Sequence, residues 1–132
     1  MASIFTRIIQ REIPAYIIDE TPDFIAFLDV NPNAVGHTLC VPKREVDKIT
    51  ELTESEFGAL MQFSRRVALG VEKAMPCKRV GWTIIGLEVP HVHVHLIPLN
   101  TMADATFGKK ESLTQEAFVA VAERIKSALS QH

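Results

Sequence analysis

Cysteine is scarce in this chain, and long apolar runs are missing from it. The two cysteines, Cys40 and Cys77, lie far apart and form no CxxC pair, so we predict neither a disulfide framework nor a cysteine-ligated zinc site. We expect both thiols to be buried. The apolar runs fall well short of the roughly 18 residues that a membrane span requires, and residues 1–7 lack the features of a secretory signal. We therefore expect a soluble, cytoplasmic protein with no membrane partner.

An excess of charge of one sign is also missing. The chain has 14 basic and 16 acidic residues, which are interspersed and give a formal net charge of −2. This balance does not favour duplex nucleic acid or an anionic membrane as the main partner. At 132 residues, 47% of them hydrophobic, the chain is long enough to bury a core of its own. We assign residues 1–132 to a single domain.

The sequence does contain a stripe of histidines at every second position, His91, His93 and His95. Because strand side chains alternate between two faces, we predict a strand over residues 91–100 with three imidazoles on one face and apolar residues on the other. Buried imidazoles need hydrogen-bond partners and pack no better than valine, so the stripe indicates a functional site. Two chemistries fit it: binding of a metal, usually zinc, completed by a carboxylate or another histidine, and nucleophilic attack on phosphorus.

Hydrophobic periodicity and capping signals predict three helices and five strands. We expect the first helix over residues 4–12 and the second from a capping box at Thr53–Glu56 to the residue before Pro76. The third is expected from Ser112 or Thr114 onward. The strands are predicted over residues 15–18, 24–29, 37–42, 80–85 and 91–100. This order gives an α+β fold with a mostly antiparallel five-stranded sheet. It does not determine which strands pair.

Residues 3–100 resemble the histidine triad (HIT) family of nucleotide hydrolases and transferases. The alternating histidines carry the resemblance, together with an opening helix that ends in Ile13-Pro14, the segment Phe27–Pro32 and the segment Gly36–Lys43. The resemblance implies a HIT-like fold with a short N-terminal helix and a long central helix; residues 101–132 beyond it are expected to form a C-terminal loop and helix.

The resemblance also implies residue roles. His93 attacks the phosphorus bonded to the nucleoside and forms a nucleotidyl-histidine, which water hydrolyses. As the middle histidine it has an imidazole on either side, so we expect the phosphate to receive hydrogen bonds from both. His95 is expected to hold phosphate oxygens, His91 to orient the network and His37 to support the triad. Asp29 is expected to accept hydrogen bonds from both ribose hydroxyls. The residues expected to enclose the purine base are Ile4, Phe5, Phe27 and Val30.

The segment before the triad departs from the family pattern. Many members have residues there that hydrogen-bond the phosphate and the leaving group, whereas this chain has Leu87 and Glu88. We expect a hydrolase or nucleotidyl transferase acting on nucleoside phosphoramidates or dinucleotide polyphosphates, with no cofactor. Two alternatives stay open: a nucleotide-binding module with weak or vestigial catalysis, and a mononuclear metal hydrolase that uses the histidine stripe.

Two further expectations come from the resemblance. Zinc-bearing relatives place two cysteines and two histidines where this chain has Ser3, Thr6, Glu45 and His91, so we expect no bound zinc. Family members also pair through the second helix and the strand after it. We therefore expect a homodimer in which Trp82 and the run 84–85 lie at the contact.

Overall fold

The computed structural model describes residues 2–130 and has three α-helices and five strands in that range, as the sequence predicts. The helices are α1 (Ile4–Ile9), α2 (Glu54–Ala74) and α3 (Gln115–Leu129). The strands are β1 (Ile17–Glu20), β2 (Phe24–Leu28), β3 (Thr38–Pro42), β4 (Arg79–Thr83) and β5 (Val94–Leu99). Short 3₁₀ turns lie at Ile49–Glu51 and Met102–Ala105.

The five strands form one sheet in the order β1-β2-β3-β5-β4, and every neighbouring pair is antiparallel. The predicted α+β class with a mostly antiparallel sheet is confirmed. β5 is the last strand in the chain but lies between β3 and β4, where Leu39 is opposite His95. No helix within residues 2–130 has both the length and the apolar content needed to cross a bilayer.

Alternating side chains on the sheet separate two apolar clusters. On β2, Phe24, Ala26 and Leu28 pack into the large cluster formed with α2 and α3, whereas Ile25 and Phe27 pack into a smaller cluster with α1. Residues 92, 94 and 96 belong to the large cluster. The alternation therefore turns His93 and His95 towards α1, and the site lies on the sheet face opposite the long helices.

Local capping signals locate the starts of the two longer helices. Thr53 Oγ1 accepts a hydrogen bond from the Glu56 N–H at 3.1 Å, and Glu56 Oε1 accepts one from the Thr53 N–H at 2.9 Å, which completes the predicted capping box. Thr114 Oγ1 likewise accepts from the Ala117 N–H at 3.1 Å and precedes α3.

Several predicted boundaries were wrong. α1 ends at Ile9 rather than at residue 12, because Arg11 has a left-handed φ of 64°. β5 begins at Val94 rather than at His91: the His91 N–H bonds to the Val89 carbonyl in a turn, so the chain joins the sheet only after the second histidine. β1 extends to residue 20, through positions predicted as a turn, because residues 19 and 20 pair with β2. Cys77 is only partly buried, while Cys40 is fully buried as expected.

Candidate active site

A cavity of about 390 Å³ opens on the α1 face of the sheet. Its walls come from the start of α1, the segment after β2, the loop before the triad, and the loop after β5. Six of the nine predicted site residues line it: Ile4, Phe5, Asp29, Val30, His93 and His95. The fold thus brings together, in one pocket, residues that are up to about 90 positions apart in sequence.

The other three predicted site residues lie behind the cavity wall. His37 and His91 are fully buried and do not line the cavity. Phe27 was expected to contact the base, but its ring packs behind Phe5, with a centroid separation of 5.5 Å. Its cross-strand partner Leu39 forms that part of the wall instead, a contact that sequence reasoning missed.

His93 has one ring nitrogen fixed and the other free for chemistry. Its Nδ1 lies 2.7 Å from the carbonyl oxygen of His91. A carbonyl only accepts hydrogen bonds, so Nδ1 carries the proton and Nε2 keeps its lone pair. Burial lowers the pKa of His93, which keeps the ring neutral near pH 7. A neutral imidazole with a free Nε2 on a cavity wall can act as a nucleophile.

His95 is oriented by a hydrogen-bond chain that begins at a backbone amide. The Asn33 N–H donates to His37 Nδ1 at 3.0 Å, so the proton of His37 sits on Nε2. His37 Nε2 in turn lies 3.0 Å from His95 Nδ1, which must therefore accept. Nε2 of His95 is left as an N–H donor, suited to a phosphate oxygen. Burial lowers the pKa of His37 to about 3 and of His95 to about 4, so both are neutral at pH 7.

His91 has both ring nitrogens occupied by the protein. Its Nε2 donates to the Pro42 carbonyl oxygen at 2.8 Å, and its Nδ1 accepts from the Ser3 hydroxyl at 2.6 Å. The expectation that imidazoles on both sides of His93 bind the phosphate is therefore wrong, since of its two neighbours in the triad only His95 offers a donor to the cavity. His91 instead holds the main chain whose carbonyl fixes His93.

Asp29 lies at the end of β2, where its side chain lines the cavity and is 19% exposed. One carboxylate oxygen accepts a hydrogen bond from the Asn31 N–H at 2.8 Å, and the other lies 3.6 Å from His37 Nε2. Burial raises the pKa of the carboxyl group, and the Asn31 N–H opposes that rise. The carboxylate keeps lone pairs that can accept hydroxyl protons from a ligand.

Sequence reasoning also missed the part of the site contributed by the polar loop after β5. The Phe107 ring packs edge-on against His95 with centroids 5.0 Å apart, and Lys110 Nζ lies 4.9 Å from the Phe107 centroid. The available signal was a single aromatic residue within a loop that has no other large ring and no branched apolar side chain over residues 100–111. Asn33 had no comparable signal, because Asn in an Asn-Pro-Asn run is an ordinary turn residue.

Comparison with known proteins places the chain in a family. A family model described as the HIT domain matches residues 10–102. The chain belongs to the HIT family. An uncharacterized HIT-like protein of Methanocaldococcus jannaschii is 39% identical over 102 residues, which are 72% of this chain and 77% of that protein. The adenosine 5′-monophosphoramidase of Saccharomyces cerevisiae is 36% identical over 98 residues, which are 74% of this chain but only 62% of that longer protein.

Solved HIT structures share the whole fold. A hypothetical histidine triad nucleotide-binding protein from Sulfolobus tokodaii has a TM-score of 0.84 and 26% identity, and covers 97% of this chain and 92% of its own. The similarity therefore extends beyond the triad to the N-terminal and C-terminal helices, and the predicted HIT-like fold is confirmed.

The four residues at the positions expected for zinc ligands, Ser3, Thr6, Glu45 and His91, do meet in space. Glu45 Oε1 accepts from the Ser3 N–H at 2.8 Å and from the Thr6 hydroxyl at 2.6 Å, and it lies 4.0 Å from His91 Nδ1. This set does not fit a tetrahedral zinc site. It offers two hydroxyls, a carboxylate that already accepts two hydrogen bonds, and an imidazole whose two ring nitrogens are both hydrogen-bonded to the protein. We predict that protein purified without added metal contains well under one zinc per chain by elemental analysis; near-stoichiometric zinc would contradict this.

A second group that could hold a cation, Asp29 with His37 and His95, also fits poorly. The Asn33 N–H occupies the lone pair of His37 Nδ1 and leaves the proton on Nε2, the atom that faces the group. A metal at Nε2 would require the ring to lose its last proton, which neutral imidazole ligands do not do. The described residues therefore do not favour the metal-hydrolase alternative.

Ser3 is the residue that joins α1 to the triad. Its hydroxyl donates to His91 Nδ1 and also accepts from the Thr6 N–H at 3.0 Å, as the N-cap of α1. We expect Ser3→Ala to lower the free energy of unfolding by about 1–2 kcal/mol, because the cap and the donor to a buried imidazole are both lost. Urea unfolding measures this, with Ser3→Thr as the matched control that keeps a hydroxyl. Equal stabilities of wild type and Ser3→Ala would contradict it.

Proposed function

We propose that this HIT protein is a nucleotide hydrolase that cleaves nucleoside 5′-phosphoramidates through a nucleotidyl-His93 intermediate. The observation that carries the proposal is the 2.7 Å hydrogen bond from His93 Nδ1 to the His91 carbonyl. It fixes the tautomer and the ring orientation, and leaves a neutral Nε2 on the wall of a cavity large enough for a nucleotide.

The reaction has two displacement steps. In the first, His93 Nε2 attacks phosphorus, the bond from phosphorus to the leaving nitrogen breaks, and the departing amine takes a proton from water. In the second, water attacks phosphorus, the bond to Nε2 breaks, and the water proton passes to solvent. His95 Nε2–H supports both steps as a donor to a phosphate oxygen, where charge develops in the transition state. Asp29 holds the ribose, and the apolar wall at Ile4 and Phe5 receives the base.

The charges of the site favour phosphoramidates over dinucleotide polyphosphates. The cavity wall carries two carboxylates, Asp29 and Glu88, and one ammonium, Lys110, while its histidines are neutral. A substrate with one negative charge on phosphorus therefore meets less repulsion than a polyphosphate. The HIT relatives of S. cerevisiae and Schizosaccharomyces pombe, 36% and 34% identical, are named adenosine 5′-monophosphoramidases, which supports the same substrate class.

The experiment is a screen of adenosine and guanosine 5′-phosphoramidates against diadenosine polyphosphates, with release of nucleoside monophosphate as the readout. We expect steady release from a phosphoramidate and no loss of rate with a chelator. Nucleotide binding without release of nucleoside monophosphate would favour a nucleotide-binding module with vestigial catalysis. Leu87 and Glu88, which are exposed on the cavity wall, are the observation that supports this alternative. Loss of activity with a chelator, restored by metal, would favour the metal hydrolase.

We also propose that the protein forms a homodimer through the edge of the sheet. β4 is the last strand of the sheet, and Trp82 on it is 43% exposed, as is expected for a large aromatic group at an interface. Light scattering at micromolar concentration should report a mass near twice the chain mass of 14.7 kDa, and Trp82→Asp should lower it towards a single chain. A wild-type mass near 15 kDa would refute the dimer.

A further inference from the structure

We propose that Lys110, in the loop after β5, is the residue that supplies positive charge to the substrate's α-phosphate, and that Asn33 holds it there. The inference rests on the proposed function for the identity of that phosphate. It places phosphate binding partly on a loop that follows the triad, rather than on the segment before it.

The first support is the state of the Lys110 ammonium. Among the described residues that line the cavity, Lys110 is the only lysine or arginine. Its Nζ donates to the Asn31 carbonyl oxygen at 3.1 Å and to Asn33 Oδ1 at 2.8 Å, and both acceptors are neutral. An ammonium has three N–H donors, so one stays available, and neither of these two contacts neutralises the positive charge. The neighbouring Lys109, by contrast, pairs with Asp104 at 2.6 Å.

The second support is the position of Lys110 near His95, whose Nε2–H is the hydrogen-bond donor for the phosphate. Both residues contact Phe107, whose ring centroid lies 5.0 Å from that of His95 and 4.9 Å from Lys110 Nζ. The Phe107 ring centroid also lies 6.2 Å from that of His37, and the charge of Lys110 adds to the effect of burial in lowering the pKa of His95 and His37. An anion held by His95 Nε2–H is therefore within the field of Lys110.

The third support is how firmly Asn33 anchors the loop. Asn33 is fully buried, and its Nδ2 donates to the Asp104 carbonyl oxygen at 3.2 Å while its Oδ1 accepts from Lys110. The Glu111 N–H bonds to the Pro32 carbonyl oxygen at 2.8 Å, immediately after Lys110 in sequence. Because the Asn33 main-chain N–H also fixes His37, this one buried residue positions the cation through its side chain and, through its backbone amide and His37, the His95 donor.

The segment before the triad offers no side chain that could supply positive charge to the phosphate. Leu87 is 90% exposed and has no side-chain donor, and Glu88 on the cavity wall carries the wrong charge for a phosphate. The positive charge of Lys110 offsets the negative charge of one of the two carboxylates in the cavity wall, Asp29 and Glu88. Without it, a phosphate in front of His93 would face only negative and neutral side chains.

The test compares AMP and adenosine as ligands, because they differ only in the phosphate. Dissociation constants are measured by calorimetry for wild type, Lys110→Met, Lys110→Arg and the control Lys126→Met, which removes the same charge on α3 next to Glu123. We expect Lys110→Met to weaken AMP binding about tenfold and adenosine binding less than twofold. Lys110→Arg should recover most of the loss, and Lys126→Met should match wild type for both ligands.

Three other outcomes would count against the inference. Equal weakening of AMP and adenosine would assign Lys110 a purely structural role in the loop, and unchanged AMP binding in Lys110→Met would exclude the contact. Failure of wild type to bind AMP would contradict both the inference and the proposed function. If wild type binds AMP with the expected Lys110 dependence but releases no product from phosphoramidates, the proposed function fails and the phosphate contact stands.

Discussion

His93→Asn is expected to lower kcat for phosphoramidate hydrolysis by several powers of ten while nucleotide binding persists. The variant loses the Nε2 that attacks phosphorus, so the covalent route is closed. The fold should remain, because Asn can still donate to the His91 carbonyl and the core behind it is built by residues 92 and 94. Base and ribose contacts come from other segments, so the affinity for AMP should change little.

The matched comparison is His95→Asn, which removes a hydrogen-bond donor to the phosphate but keeps the nucleophile. We expect His95→Asn to retain clearly more activity than His93→Asn, because it weakens transition-state stabilisation without removing the attacking atom. Single-turnover rates under saturating substrate separate chemistry from binding in both variants. Full activity in His93→Asn would end the proposed mechanism.

Asp29→Asn is expected to raise KM for ribonucleotide substrates roughly 10- to 100-fold, since charge-assisted hydrogen bonds to the ribose hydroxyls are lost. Asn keeps the size of the side chain and can still accept from the Asn31 N–H. It offers one oxygen instead of two, however, and no negative charge. The change in kcat should be small, because Asp29 does not take part in bond breaking.

A substrate without ribose hydroxyls provides the control for Asp29. Wild type should discriminate strongly between the phosphoramidates of adenosine and of 2′,3′-dideoxyadenosine, and Asp29→Asn should discriminate little. The two enzymes should treat the dideoxy substrate alike. An equal loss on both substrates in the variant would mean that Asp29 acts on the fold or on His37, which lies 3.6 Å away, and not on the ribose.

Features with local causes were predictable from the sequence. The cap at Thr53 and the cap at Thr114 each satisfy amides three residues onward, so both helix starts can be read without tertiary information. The alternation at residues 91–96 assigns each side chain to a sheet face even where the chain has not yet joined the sheet. The membership of the HIT family followed from motifs of the same kind.

Features that depend on contacts between distant segments were not predictable. The order of the strands depends on pairing across the chain, and β5 starts late because the His91 and Val92 amides bond to loops at Val89 and Val46. The bond from Ser3 to His91 spans 88 residues, and the bond from Lys110 to Asn33 spans 77. No local pattern links the two partners of either bond, so the tautomers of His37, His91 and His95 became clear only from the structure.

The central claim is that His93 forms the covalent bond to phosphorus. The most direct measurement is rapid quench of wild type with a labelled adenosine phosphoramidate, followed by mass spectrometry of the peptide that contains residues 91–95. The account predicts a nucleotidyl adduct on His93 that appears before free nucleoside monophosphate and is absent from His93→Asn. An adduct on His91 or His95, or turnover with no adduct at any quench time, would contradict it.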